Sequence, residues 1–193
     1  MKNTKTLAAN AMLTAIILIM AFTPIGYLKA GVIEITFITI PVIVGAIVLG
    51  EKTGLFLGGV FGITSFIQAA TGMSSFGAVL MGINPVFTFI VCLIPRLLMG
   101  YCCGLIFRAI PKQKSNNLAV IVSSVSGALL NTLFFMTALM VLFGSTDYIS
   151  GMRGNMSVIK FVIAFVGLNG AVEALACAVL GTAICKAVLK IKG

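Results

Sequence analysis

The chain has 193 residues, of which 60% are hydrophobic and 9% charged, and its formal net charge is +9. Charged residues make up about a quarter of a soluble globular domain, so the composition excludes that class and predicts an integral membrane protein. The chain has no His, and its five cysteines lack the spacing of a metal site. We therefore expect no metal, no cofactor and no enzyme activity of the Ser-His or Cys-His type.

Apolar stretches separated by polar residues, glycine and proline predict six membrane helices, because a full crossing needs about 20 apolar residues. The predicted helices are 6–25, 37–50, 53–70, 84–110, 116–143 and 156–190. The second is short for a crossing, and residues 35–41 before it are either extended chain or the start of the helix. The predicted fold class is an all-α, six-helix transmembrane bundle that forms a single integral membrane domain over residues 1–193.

The first predicted helix follows a polar start and lacks a small-x-small cleavage site before Pro24, so we expect it to remain as a span. It contains Ala11-x-x-x-Ala15, which places two small residues on one helical face. Small residues allow close helix approach in lipid. Because the first helix has at most two neighbours in the bundle, Ala11 and Ala15 either pack within the bundle or lie on a free face that suits a partner subunit.

Glycines recur at four-residue intervals from the end of the second helix through the third, and again in the fourth. They are Gly50, Gly54, Gly58, Gly62, Gly100 and Gly104. This spacing brings backbones close together on one helical face. The glycine series therefore predicts tight packing within the bundle.

The distribution of Lys and Arg predicts the orientation of the chain. Nine lie on the side of the termini and three on the opposite side, so both termini are predicted to be cytoplasmic. The basic girdle suits anionic lipid headgroups, and no nucleic-acid partner is needed to explain it. The long loops 26–36, 70–83 and 144–155 then share the outer face, where the glycine-rich ones are either flexible caps over a ligand or simple connectors.

Arg96 and Glu173 are charged residues deep inside apolar stretches. A charge near the middle of a bilayer costs roughly 2.5–3.5 kcal/mol on insertion scales, so it is paired, lines a cavity or has a function. At a rise of 1.5 Å per residue, Arg96 lies about 16–18 Å into the membrane. Asn131, Asn169 and Glu173 fall at similar depths, so we expect all four to converge within helices four to six.

Two readings of this cluster are open. Arg96 and Glu173 form a structural ion pair, with Asn131 and Asn169 as interhelical hydrogen bonds, or Arg96 presents its planar fork to a carboxylate or phosphate of a ligand. Further candidates border the outer loops, and Lys160 is either a ligand contact or a side chain that reaches the headgroups. These outer candidates are Gln68, Asn84, Tyr148, Asn155 and Lys160.

Three segments carry a family resemblance. They are Ile33-Glu34-Ile35-Thr36-Phe37-Ile38-Thr39-Ile40-Pro41 through Gly50, Gly54-Leu55-Phe56-Leu57-Gly58-Gly59-Val60-Phe61-Gly62, and Leu93-Ile94-Pro95-Arg96-Leu97-Leu98-Met99-Gly100. Together with Ala11-x-x-x-Ala15 and the six-helix layout, they resemble the substrate-binding S components of energy-coupling factor (ECF) transporters. The resemblance covers nearly the whole chain.

The resemblance implies a subunit of the bacterial plasma membrane that binds a vitamin near the outer face. It also implies that the first three helices dock on a membrane coupling subunit, the T component, driven by two ABC-type ATPases. The chain has no Gly-x-x-x-x-Gly-Lys-Ser/Thr motif, so we expect no nucleotide site in it.

The sequence favours a flexible, hydroxylated, anionic substrate, because it combines one membrane-embedded Arg with several amides and has no Trp to clamp a large ring. Among vitamins, this indicates pantothenate; riboflavin, folate, pyridoxine-related compounds and a cobalamin precursor stay open. An ion-coupled secondary transporter and a nonenzymatic membrane scaffold are the competing classes. Only Glu173 is a membrane-embedded acid, and no internal repeat is evident, which disfavours the secondary transporter.

Overall fold

The computed structural model describes residues 2–30, 33–110 and 117–192. Its helices are α1 (Lys2–Phe22), α2 (Thr39–Leu49), α3 (Glu51–Ala70), α4 (Ser75–Ile83), α5 (Pro85–Ala109), α6 (Asn117–Phe143), α7 (Asp147–Arg153), α8 (Val158–Ala176) and α9 (Thr182–Lys192). A π-helical segment, Cys177–Gly181, joins α8 to α9, and a short 3₁₀ turn, Pro24–Gly26, follows α1.

Among the described residues, five helical segments are long and apolar enough to cross a membrane: Thr4–Phe22, Glu51–Ala70, Pro85–Ala109, Asn117–Phe143 and Gly170–Lys190. The sixth apolar helix, α2, has 11 residues, which corresponds to about 16 Å at 1.5 Å per residue. That is about half the hydrocarbon thickness of a bilayer. The predicted helical class is confirmed in outline, with α2 as the short member.

Helix α2 lies at the centre of the fold. Residues 39–47 are all buried, and α2 packs against α1, α3, α5, α6 and α9. A helix that is apolar on all sides is stable only where neighbours surround it. The central position of α2 therefore follows from a sequence that has no polar face.

The strictly all-α prediction was wrong at one place, because strands β1 (Tyr27–Ala30) and β2 (Ile33–Thr36) form an antiparallel hairpin in which Tyr27 pairs with Thr36. Residues 33–36 alternate β-branched and polar side chains, a pattern that favours extended chain. The hairpin contacts α8 and leads directly into α2. Of the residues 35–41 whose structure was left open, 35 and 36 are extended in β2, whereas 39–41 form the start of α2.

Two predicted loops are also largely helical, because α4 occupies most of 70–83 and α7 occupies most of 144–155. Ser74 caps α4 by accepting a hydrogen bond from the Gly77 amide. A buried cluster joins both short helices to α5, α6 and α8 through Leu80, Ile149, Val91, Leu139 and Phe161. These two connections are therefore packed helices and not the flexible glycine-rich caps that the sequence suggested.

Candidate functional site

Glycines determine how closely α3 and α5 pack at the point where Arg96 lies on α5. A Cβ atom added at Gly58 would overlap the carbonyl oxygen of Arg96, and Gly54 and Gly100 face each other in the same way, each against the carbonyl of the other. Gly104 packs against the backbone of Glu51. The predicted packing role is thus confirmed for the series except Gly50, where an added Cβ would meet nothing within 4 Å, and the backbone at Arg96 is in direct contact with α3.

Pro95 gives Arg96 an unusual partner. A proline inside a helix has no amide hydrogen, so the carbonyl four residues earlier loses its helical donor. In α5 that carbonyl belongs to Val91, and Nη1 of Arg96 donates a hydrogen bond to it at 2.8 Å. The charged side chain thereby satisfies a polar backbone group that would otherwise be unpaired in an apolar environment.

Two aromatic rings flank the guanidinium of Arg96. Its Cζ atom lies 5.4 Å from the ring centroid of Phe61 on α3 and 4.7 Å from that of Phe135 on α6. Both distances are within the range of cation–π attraction, which strengthens where water is excluded. Among the described residues, no carboxylate lies in contact with this charge.

Asn131 and Glu173 join α6 to α8 in the interior. Nδ2 of Asn131 donates to Oε1 of Glu173 at 3.3 Å, and both side chains are 7% exposed. Thr39, at the start of α2, also lies against the Glu173 carboxylate, and its hydroxyl is 3.6 Å from Sγ of Cys177. Three helices thus meet around one buried carboxylate.

Arg96 and Glu173 influence each other electrostatically but are not in contact, since the ion pair within 4 Å among the described residues is Arg108 with Glu51. The interpretation of Arg96 and Glu173 as a direct ion pair is therefore wrong for this structure. Two buried polar atoms nearby, Nε of Arg96 and Oδ1 of Asn131, have no hydrogen-bond partner. An unsatisfied buried polar group costs about 1–3 kcal/mol, which a polar ligand would recover.

Sequence reasoning missed Thr39, Phe61, Phe135 and Cys177 at this site. Two of them left a usable signal, because Phe135 follows Asn131 and Cys177 follows Glu173 by four residues, the spacing of one helical face. Thr39 and Phe61 reach the cluster through the packing of α2 and α3, which no local pattern encodes.

The remaining predicted site residues lie in several environments. Gln68 is buried and donates to the Ala21 carbonyl, which links α3 to α1. Asn84 caps α5 by accepting from the amides of Val86 and Phe87. Asn169 belongs to α8 by its backbone, but its side chain is not among those that the structure describes.

Tyr148 is half-buried in α7, with its ring 6.2 Å from that of Phe76 in α4. Lys160 is exposed in the first turn of α8, where its amide donates to the capping hydroxyl of Ser157. Asn155 is exposed in the connection between α7 and α8. These three residues surround the end of the bundle that α4 and α7 cover.

An apolar groove of about 720 Å³ runs between α6 and α8 on the outside of the bundle, lined by residues such as Leu129, Leu133, Ile159 and Ile163. It contains none of Arg96, Asn131 and Glu173. In the part of the chain that the structure describes, no three His, Cys, Asp or Glu side chains come together as metal ligands.

Ala11 and Ala15 are exposed on α1, beside Leu7, Met12 and Ile19, whose side chains are 59–70% exposed. Among the described elements, the inner side of α1 packs mainly on α2, α3 and the turn that follows it. The outer side is therefore an uncovered apolar face that carries two small residues.

The sequence profile of the ECF transporter, substrate-specific component, matches residues 5–185. A pantothenate transporter, PanT, of Leuconostoc mesenteroides is 30% identical over 191 residues, covering 94% of this chain and 90% of the relative. A pantothenic acid transporter, also named PanT, of Lactococcus lactis is 28% identical over 163 residues, covering 80% of this chain and 78% of the relative.

The five long apolar helices are those of a multi-pass membrane protein. The chain belongs to the substrate-specific components of ECF transporters, as its sequence resemblance predicted. It is a vitamin-binding transport subunit of the bacterial plasma membrane.

Proposed function

We propose that this subunit captures pantothenate at the outer face and delivers it inward when an ATP-driven coupling module acts on it. The observation that carries the proposal is the cation Arg96, which has no carboxylate partner among the described residues and lies next to the buried Asn131–Glu173 pair. The names of the two PanT relatives support the same substrate.

Pantothenate has a carboxylate, two hydroxyls and one amide on a flexible, ring-free skeleton. The carboxylate binds the guanidinium of Arg96, whose Nε atom has no partner in the described structure. The hydroxyls and the amide pair with Asn131, which has an unpaired Oδ1 atom, and with Glu173. Each unsatisfied protein atom thus meets a complementary ligand group.

The ligand enters from the end that α4 and α7 cover. Tyr148 and Lys160 lie toward that end and make early contacts, and Gln68 and Asn84 border the same region while holding α3 and α5 in place. Asn169 precedes Glu173 by four residues in α8 and extends the polar surface of the same helical face.

The chain forms one membrane domain with six crossings, α2 being the short one, and both termini are cytoplasmic. The excess of Lys and Arg on the side of the termini supports this orientation. The α1 face that carries Ala11 and Ala15 docks on the T component. ATP is hydrolysed by two ATPases elsewhere in the complex, and this subunit supplies the substrate site.

The test is isothermal titration of pantothenate into detergent-purified protein, beside Arg96→Ala and with riboflavin and folate as alternative ligands. The matched control is Arg108→Ala, which removes an exposed Arg from the same helix. We expect tight pantothenate binding that falls about 10–100-fold in Arg96→Ala, the scale of a lost charge-assisted contact of 1.5–3 kcal/mol. Arg108→Ala should bind like the unmodified chain.

Each alternative result has a distinct meaning. Binding of riboflavin or folate instead would retain the transport class and overturn the substrate. Equal pantothenate affinity in Arg96→Ala and the unmodified chain would overturn the anion anchor. A folded sample that binds none of the three would contradict the proposed function and favour a scaffold.

A further inference from the structure

We propose that Pro95 is a positioning residue for ligand recognition: by freeing the Val91 carbonyl, it fixes which edge of the Arg96 guanidinium is presented to a carboxylate. The inference rests on the proposed anion-binding role of Arg96 and deepens it.

The first step concerns the carbonyl. In an unbroken helix the amide of residue 95 would donate to the oxygen of Val91, and the pyrrolidine ring both removes that donor and crowds the same carbonyl. The oxygen is thereby free to accept Nη1 of Arg96, the residue directly after the proline, at 2.8 Å. Helix α5 continues through Pro95 to Ala109, so the exchange replaces one backbone hydrogen bond without ending the helix.

The second step concerns the guanidinium edge. Arginine presents its donors in a planar fork, and Nε with Nη2 forms the side-on edge that matches the two oxygens of a carboxylate. Nη1 donates to Val91, so the side-on edge is the edge of the fork that this hydrogen bond does not use, and its Nε atom is buried without a partner among the described residues. The proline therefore leaves the bidentate edge available.

The third step concerns the rotation of the side chain. The backbone of Arg96 is held against Gly58 of α3, and the rings of Phe61 and Phe135 flank the guanidinium. Neither ring carries an acceptor atom that could fix how the guanidinium of Arg96 is rotated within its plane. The Val91 oxygen sets it, which makes Pro95 the residue on which the orientation depends.

The experiment compares two ligands that differ only at the anionic end: pantothenate and its uncharged alcohol analogue, panthenol. Affinities of both are measured for the unmodified chain, Pro95→Ala, Arg96→Ala and the double variant. The matched control is Pro85→Ala, which makes the same replacement in the first turn of the same helix, where no intrahelical donor is missing.

We expect the preference for pantothenate over the alcohol to fall at least about tenfold in Pro95→Ala, which corresponds to the loss of roughly one charge-assisted contact. The alanine amide reclaims the Val91 oxygen and releases the guanidinium. Pro95→Ala should add little once Arg96 is absent, and Pro85→Ala should leave the preference unchanged. The melting temperature of Pro95→Ala should not fall, because alanine suits a helix interior better than proline.

Equal weakening of both ligands in Pro95→Ala would show a merely structural effect and overturn the inference. Loss of the preference in Arg96→Ala but not in Pro95→Ala would overturn the role of Pro95 and retain the anion site. A preference that survives Arg96→Ala would overturn both.

A ligand-free measurement keeps the inference testable if pantothenate is not the substrate. Nitrogen NMR of the arginine side chains reports rotation about the Nε–Cζ bond. We expect hindered rotation at Arg96 in the unmodified chain and faster rotation in Pro95→Ala, with Arg108 unchanged in both. Identical rotation at Arg96 in the unmodified chain and in Pro95→Ala would contradict the proposed role of Pro95, whatever the substrate is.

Discussion

The α3–α5 contact and the α6–α8 contact hold the bundle together in opposite ways. Helices α3 and α5 share the most extensive contact among the described elements, and glycine backbones meet there without side chains between them. Helices α6 and α8 meet through Asn131 and Glu173, and an apolar groove of about 720 Å³ opens between them on the outside. The first contact has no room for a ligand, whereas the second contains unsatisfied polar atoms.

The difference assigns separate tasks to the two contacts. Close backbone packing provides a stable reference position for Arg96, because many short contacts have to be broken together to move it. Contact through long polar side chains leaves hydrogen-bonding capacity that a ligand can use. The proposed site would therefore lie where a firmly packed helix pair faces a pair joined by polar groups. Four experiments test this comparison, in order of decreasing effect on the isolated chain.

The largest effect is expected from Gly58→Ala. Its Cβ would overlap the Arg96 carbonyl oxygen and force α3 and α5 apart, at a cost of roughly 1–3 kcal/mol. The matched control is Gly167→Ala in α8, where an added Cβ meets nothing within 4 Å and a small gain is expected. Thermal unfolding in detergent compares the two, and equal melting temperatures would contradict the packing role of the glycine.

A double-mutant cycle with Asn131→Leu and Glu173→Leu should give the next effect. Each single change leaves a buried partner unpaired and costs about 1–3 kcal/mol. The double variant should lose less than the sum, with a coupling of about 0.6–1.7 kcal/mol, as for polar contacts between membrane helices. Denaturant unfolding measures the cycle, and strict additivity would mean that the two side chains do not interact.

Breaking the Arg108–Glu51 pair should matter little. The atoms are 3.2 Å apart, but the Arg108 side chain is 75% exposed, and exposed pairs contribute about 0–1 kcal/mol. Arg108→Ala should therefore lower stability by less than 1 kcal/mol and leave ligand affinity unchanged. A loss as large as that of Asn131→Leu would show that the position of α5 depends on this pair as well as on the glycines.

The smallest effect on the isolated chain is expected from Ala11→Leu with Ala15→Leu, since both positions are exposed on α1. Melting temperature and ligand affinity should stay within error, while assembly with the coupling module and uptake in reconstituted vesicles should be lost. The same change at exposed Ala171 of α8 is the control, and uptake should persist there. Retained uptake in the α1 variant would contradict the proposed docking face.

The sequence by itself determined the membrane class, the approximate extent of the long helices and the clustering of Arg96, Asn131 and Glu173 inside the bundle. Those conclusions rest on local rules: hydrocarbon requires about 20 apolar residues per crossing and penalises any buried charge. The glycine spacing likewise identified close packing, because a four-residue repeat marks one face of a helix before any neighbour is known.

Only the tertiary structure decided what those residues contact. It paired Arg96 with the Val91 carbonyl and two rings instead of Glu173, brought Thr39 and Cys177 to the carboxylate, and packed α4 and α7 where loops were expected. The physical reason is that hydropathy and periodicity report the environment of a segment, whereas hydrogen-bond partners depend on distant segments and on their relative rotation. The acceptor of Arg96, the Val91 carbonyl, lies five residues earlier in its own helix, whereas the two rings beside the guanidinium are brought to it from α3 and α6 by the packing of three helices.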